Sequence, residues 1–255
     1  MTLTLAGEPL IAYLLGSVRI IAWLAVVPPF SSRSVPAMAK VVLALGLSLA
    51  VAPSVADAGE VPLGAPALLM TTVTQVAIGV SMGFVTFLLF SVIAAAGSLV
   101  DVFGGFALAQ AFDPLSMNMN TVFGKFHQML ATALLFVTGG HLLVVGGLLE
   151  TFDVLPIGTT PDFGGLDDVV TTAFSMFFIT AVQIALPMVA VLFIADLGLA
   201  LLTKIAPQFN AINVMFPAKI GLTLLLLGVS FPVLPQAVDR LVELSLEAMA
   251  AIVGG

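Results

Sequence analysis

Apolar residues run along this chain in long stretches separated by short clusters of charge, proline and glycine. The stretches are Pro9 to Pro29, interrupted by Arg19, then Val41 to Pro53, Ala67 to Val100, Phe126 to Leu149, Val169 to Ala195 and Ile220 to Val238. A helix needs about 20 apolar residues to cross the hydrocarbon core of a bilayer. Most of the stretches meet that length, but Val41 to Pro53 is short and Ala67 to Val100 is too long for one straight crossing. The long one reads either as a single tilted helix or as two segments broken near Gly79 or Gly83. None alternates with the period of a barrel strand. Backbone groups in lipid must find partners within their own segment, as they do in a helix. The pattern therefore predicts an all-α polytopic membrane protein of about six long apolar helices.

Charge placement favours a single crossing for Ala67 to Val100. Arg33, Lys40, Lys125, Lys204 and Lys219 then share one side, five of the seven basic residues, while Asp57, Glu60, Glu150, Asp153, Asp162, Asp167 and Asp168 fall on the other. The positive-inside rule makes the basic side cytoplasmic and puts both termini outside. Splitting the long stretch would move Lys125 to the acidic side. Composition agrees with a lipid environment: 60% of the 255 residues are hydrophobic and 8% are charged, whereas soluble domains carry about a quarter. The formal net charge of −7 comes with no basic patch, which argues against nucleic acid as a partner. No cysteine is present, so disulfides and thiolate chemistry are excluded. Arg19 is the first positive residue, so no cleaved signal peptide is expected.

Three connections are longer than a tight turn. Gly104 to Asn120 is too apolar for a free loop and too irregular for a span, and reads as an irregular central loop. Glu150 to Asp168 carries the glycines and prolines of a solvated connection. Ala206 to Pro217 joins the last two stretches and contains Pro207 and Pro217, read as residues that end helical structure.

Few residues stand out as chemistry. His127 and His141 are fourteen positions apart, about 21 Å along one continuous helix, too far to share an ion, and read as hydrogen-bonded core or interfacial histidines. No nucleophile with a base, carboxylate pair or metal cluster emerges, so no catalytic residue, cofactor or metal is expected. Arg19 lies in mid-stretch and must find a carboxylate, carbonyls or water; a structural pairing outweighs a pore-lining role. Asp101 and Asp196 each end a long stretch, as interfacial or functional groups. Asp113 before Pro114 suits a turn or helix N-cap. Gly79 and Gly83 form a small-xxx-small face, and Gly139, Gly140, Gly146 and Gly147 a second stripe, for close packing within the chain or against a neighbour. Met117 and Met119 follow Phe103, Phe106 and Phe112, a composition that suits a deformable seal or an apolar loop dipping into lipid or protein.

The order of these residues resembles a known family. Arg19, Pro28, Phe30, Arg33, Pro36 and Lys40, leading into VVLALGLSLAVAP, look like the opening of FliR, the R subunit of the flagellar type III export gate. Gly79, Gly83, the AGSLVD segment ending at Asp101, GGF from Gly104 to Phe106 and Asp113-Pro114 are similar to its central part. PQFNAINVMFPAKI, with Pro217 and Lys219, is similar to its late cytoplasmic motif. The resemblance implies an inner-membrane subunit of the flagellar basal body that assembles with the P and Q subunits (FliP and FliQ), beside FlhB and FlhA, into a pore for unfolded flagellar proteins. It implies steeply tilted, staggered helices, with residues 1–168 like a P subunit and 169–255 like a Q-subunit hairpin and tail. It also implies that the central loop, with Phe106, Phe112, Met117 and Met119, plugs the lumen, and that Arg19, Gly79, Gly83, Asp101, Asp113, Pro114, Pro217 and Lys219 serve structure and assembly. An equivalent subunit of a virulence secretion system is the near alternative. A secondary transporter would need paired broken helices in two halves, and an intramembrane enzyme lacks a catalytic constellation.

Overall fold

The structure, a computed structural model, describes residues 2–51, 64–106, 121–159, 161, 163–206 and 211–254. Among the described residues it is all helix: α1 (Thr2–Val26), α2 (Ala37–Ala50), α3 (Ala65–Phe103), α4 (Val122–Val137), α5 (Gly140–Val154), a single 3-10 turn (Phe163–Gly165), α6 (Leu166–Ile205), α7 (Ala211–Ser230) and α8 (Leu234–Val253). Three helices are long and apolar enough to cross a membrane, namely Pro9–Val26 within α1, α3 and α6, and a fourth is added if α4 and α5 count as one broken span. The chain divides into two compact units, one of Met1–Leu89, Gly139–Phe174 and Leu241–Gly255 and the other of Phe90–Thr138 and Ser175–Arg240.

In the first unit, α1 lies against the early part of α3 because two glycines leave room for it. A Cβ on Gly83 would stand 3.1 Å from Val26 Cβ and 3.2 Å from the Trp23 carbonyl, and one on Gly79 would meet the Arg19 carbonyl and Ala22 Cβ. With nothing projecting from these positions, the two backbones nearly touch. Ile20, Trp23, Leu24, Ile78, Met82 and Leu89 fill the space on either side. Side-chain bonds tie α2 to α1: Tyr13 Oη donates to the Leu45 carbonyl at 2.9 Å and Ser48 Oγ to the Tyr13 carbonyl at 2.8 Å. On α5, Gly147 faces Leu246 and Met249 of α8.

The second unit repeats the device. A Cβ on Gly97 of α3 would lie 2.7 Å from Gly124 Cα of α4 and equally close to the Phe123 carbonyl carbon. The Ser98 and Thr121 hydroxyls bond to each other at 2.8 Å beside this contact. In α6, Asp167 and Asp168 occupy the first turn and Lys204 the last, matching the helix dipole. Much of its apolar surface is uncovered, including Phe178, Ile179, Leu186, Phe193, Ile194, Leu197 and Leu201.

The structure bears out one preferred sequence expectation and amends several others. The long stretch is a single helix, unbroken at Gly79 and Gly83, because those glycines are packed and their turns stay hydrogen-bonded. Phe126 to Leu149 is two helices, since Gly139 takes a left-handed conformation (φ +77°) with open space around it, and that conformation ends a helix. Gly139 is thus a break and not part of a packing stripe, and the two histidines sit on separate helices. Pro217 lies inside α7 as its seventh residue and does not terminate it. Lys125 and Lys219 lie in helices and not in loops. Ile220 to Val238 is interrupted at 231–233, after which α8 forms an amphipathic helix that apolar-run counting overlooks. Leu234, Val238, Leu241, Val242, Ser245, Met249 and Ile252 are buried while Asp239, Arg240, Glu243 and Glu247 face outward.

Candidate functional site

Two buried charges, one in each unit, organise the helix ends around them. Arg19 is fully buried on α1. Its Nε donates to Gln75 Oε1 of α3 at 2.7 Å, and its two terminal nitrogens donate to the carbonyls of Thr151 at 3.3 Å and Leu155 at 2.9 Å. Its guanidinium stands 4.2 Å above the Phe152 ring. Leu155 is the C-cap of α5. The last carbonyls of a helix lack intrahelical partners and carry partial negative charge, so the guanidinium caps α5 from a distant part of the chain. Carbonyls and an aromatic face take the place of a carboxylate. In the same unit, Trp23 Nε1 and Gln75 Nε2 are buried without hydrogen-bond partners among the described residues.

Asp101, near the end of α3, is the counterpart of opposite sign. It too is fully buried. Its Oδ2 accepts from the backbone N–H groups of Phe123 at 2.9 Å and Gly124 at 3.1 Å, in the first turn of α4. The residue at the N-cap position, Thr121, makes no capping bond because its hydroxyl is engaged with Ser98. Asp101 therefore supplies the cap from another helix, and the negative charge meets the positive end of the dipole. Its Oδ1 has no hydrogen-bond partner among the described residues. Beside it, His127 is buried, with Nδ1 2.8 Å from the Phe123 carbonyl and Nε2 3.2 Å from Ser230 Oγ of α7.

The central segment begins on this second unit. Gly104 packs so tightly against Thr223 of α7 that a Cβ would come within 2.7 Å of its Oγ1. Gly105 has φ +82° and faces Phe216 and Lys219. The Phe106 ring packs edge-on against Phe123, with centroids 4.9 Å apart. Phe112, Asp113, Pro114, Met117 and Met119 lie outside the described residues. Lys219 Nζ pairs with Asp196 Oδ1 at 2.8 Å, joining α7 to α6, and both side chains are partly exposed.

The expected residues thus fall into separate groups. Arg19 and Gly79 meet at the α1–α3 contact with Gly83 one turn on, and Asp101 meets the start of α4. Lys219 belongs to the part of the second unit where α7 receives the end of α3, Phe106 follows that contact, and Pro217 is an exposed residue of α7. Gln75, Gly97, Gly124, His127 and Ser230 complete these contacts and escaped the sequence reading of site residues. Of these, Gln75 and Gly124 carried a usable signal, one as a lone amide in an apolar run and the other as a glycine in the first turn of a helix.

Comparison with known proteins follows the same residues. The family model described as bacterial export proteins, family 1, matches residues 10–245. The flagellar biosynthetic protein FliR of Escherichia coli (strain K12) is 30% identical over 235 residues, covering 92% of this chain and 90% of the relative. FliR of Bacillus subtilis (strain 168) is 26% identical over 241 residues, 93% of each. The Yop proteins translocation protein T of Yersinia pestis is 25% identical over 232 residues, 89% of this chain and 88% of the relative. With the match running from the first helix into the last, the chain belongs to family 1 of the bacterial export proteins.

Proposed function

We propose that this chain is the R-type subunit of the flagellar type III export gate, a membrane-embedded wall element of the conduit through which unfolded flagellar proteins leave the cytoplasm. The observation that carries this reading is the continuous similarity to flagellar FliR proteins across nine-tenths of both chains. The helices supply the physical side. A 40-residue α6 is about 60 Å long, twice the hydrocarbon thickness, and much of its apolar surface is bare. Such a surface is suited to burial against other membrane helices as well as lipid.

On this reading the partners are P- and Q-type subunits with FlhB- and FlhA-type components, residues 1–168 play the P-like part and 169–255 the Q-like part, and the bacterial inner membrane is the site. Phe106, Phe112, Met117 and Met119 belong to a plug that closes the lumen at rest. The apparatus makes and breaks no bond in cargo at this subunit. Similarity to the Yersinia protein supports a second reading, the equivalent subunit of a virulence secretion system.

Purification in mild detergent tests the central claim. P-like and Q-like chains should co-purify in a stable complex, whereas recovery of a solitary chain that binds a small solute would refute it. Deleting the gene should abolish motility if the flagellar reading holds, and should abolish effector secretion with motility intact if the virulence reading does.

A further inference from the structure

We propose that His127, Asp101 and Ser230 form a buried proton-binding site, in which uptake of one proton at His127 Nε2 redirects the Ser230 hydroxyl at the end of α7. The argument rests on hydrogen-bond parity. A carbonyl oxygen cannot donate, so the 2.8 Å contact between His127 Nδ1 and the Phe123 carbonyl fixes a proton on Nδ1. Ser230 Oγ lies 3.2 Å from Nε2 and 2.8 Å from the Leu227 carbonyl. A hydroxyl has one hydrogen. With neutral His127, that hydrogen can serve Nε2 or Leu227, and one of the two contacts goes unmade. With a second proton on the ring, Nε2–H donates to Ser230 Oγ while the hydroxyl donates to Leu227, and all three contacts form together.

The charge this creates has its counter-ion in place. His127 is 2% exposed, and a cation so buried must be paired. Asp101 of α3 is tied to it through the backbone of one residue, because Asp101 Oδ2 accepts from the Phe123 N–H at 2.9 Å while the Phe123 carbonyl accepts from His127 Nδ1 at 2.8 Å. Among the described residues, its ring and hydroxyl contacts are uncharged: the Phe123 and Phe126 rings on its own helix, with Phe126 edge-on at 5.9 Å, and Ser230 from α7. Among the described residues Asp101 Oδ1 has no hydrogen-bond partner, so the charge is incompletely satisfied by the two N–H groups of the α4 cap. The balance is simple. One proton is added to Nε2, and the Ser230 hydroxyl keeps its own hydrogen, which is then committed to Leu227 and no longer shared with the ring. Ser230 is the last residue of α7, so the occupancy of the site is read at the turn leading to α8.

The test uses the full-length protein in lipid nanodiscs with ¹⁵N-labelled histidine and ¹³C-carbonyl leucine. The H141Q substitution leaves one histidine to observe, because the chain has two. On acidification the Nε2 resonance should move from its unprotonated to its protonated position while Nδ1 stays protonated throughout, and the Leu227 carbonyl resonance should move with it. At a pH where the parent shows both nitrogens protonated, D101N should show Nδ1 alone. S230A should abolish the Leu227 response. Nε2 remaining proton-free until the protein unfolds would overturn the proposal, as would equal double protonation in D101N. If D101N does not fold, S230A decides: an unchanged Leu227 response there overturns the coupling.

Discussion

Arg19 and Asp101 show what a charge can do where water is absent. An intramembrane charge must bring its own solvation, and the lone Arg19 in an apolar run signalled in advance that carbonyls or a carboxylate would be near it. Which carbonyls was not legible, because Thr151 is 132 residues away in sequence and nothing local marks it as a partner. Replacing Arg19 with Leu leaves the Leu155 carbonyl and Gln75 side chain unpartnered, at a cost of roughly 1–3 kcal/mol for each buried group. The R19L protein should therefore insert normally, melt at a lower temperature in detergent and be recovered poorly in complexes; normal recovery would contradict the assignment. Asp101 gives a sharper pair. Asp101→Ala removes the acceptor for two N–H groups and should cost about 0.5–2 kcal/mol as a lost cap, whereas Asp101→Asn keeps an acceptor and should stay much closer to the parent in thermal unfolding. The sequence reading left Asp101 between an interface and a function because the capped turn lies across the central segment, beyond any local capping pattern.

Helices were legible where their signal is apolar length. The single unbroken helix Ala65–Phe103 was anticipated from charge placement, and the glycine pair at 79 and 83 from its spacing. The break at Thr138–Gly139 was not, since a Gly-Gly pair in an apolar run reads equally as a packing stripe, and only its left-handed conformation and open surroundings separate the two. Helix α8 was missed because four charges in 20 residues disqualify it as a span, though they all lie on one face. The close approach of α3 and α4 makes its own prediction. Gly97→Ala puts a methyl against the Phe123 carbonyl and Gly124 backbone, which cannot yield as a side-chain tip could. It should destabilise by about 1–3 kcal/mol, as overpacking does. Gly221→Ala meets nothing within 4 Å and, by better helix propensity, should be neutral or slightly stabilising. Thermal unfolding of the two variants side by side checks this, and equal losses would show that packing at Gly97 is not what matters.

For the molecule as a whole, family and fold class were legible because ordered motifs and apolar runs extend over nearly its full length. For Phe112, Met117 and Met119, which lie outside the described residues, composition allowed a deformable seal or an apolar loop, and the proposed plug role rests on the resemblance. Deleting residues 106–120 from the assembled gate should raise passive ion conductance while leaving the complex intact, and unchanged conductance in planar bilayers would remove the plug assignment. The long reach of Arg19 also has a consequence for how the chain is made. Ribosomes add about 5–20 residues per second, so the first helix enters the bilayer on the order of ten seconds before the 132-residue-distant Thr151 emerges. Until then Gln75 is the earliest of its three partners to arrive, and the guanidinium must be tolerated by the insertion machinery or by lipid headgroups. Nascent chains stalled before Thr151 should be cleared faster by membrane proteases than chains stalled after Ile157, so the moment α5 closes over Arg19 marks when the newborn protein becomes durable.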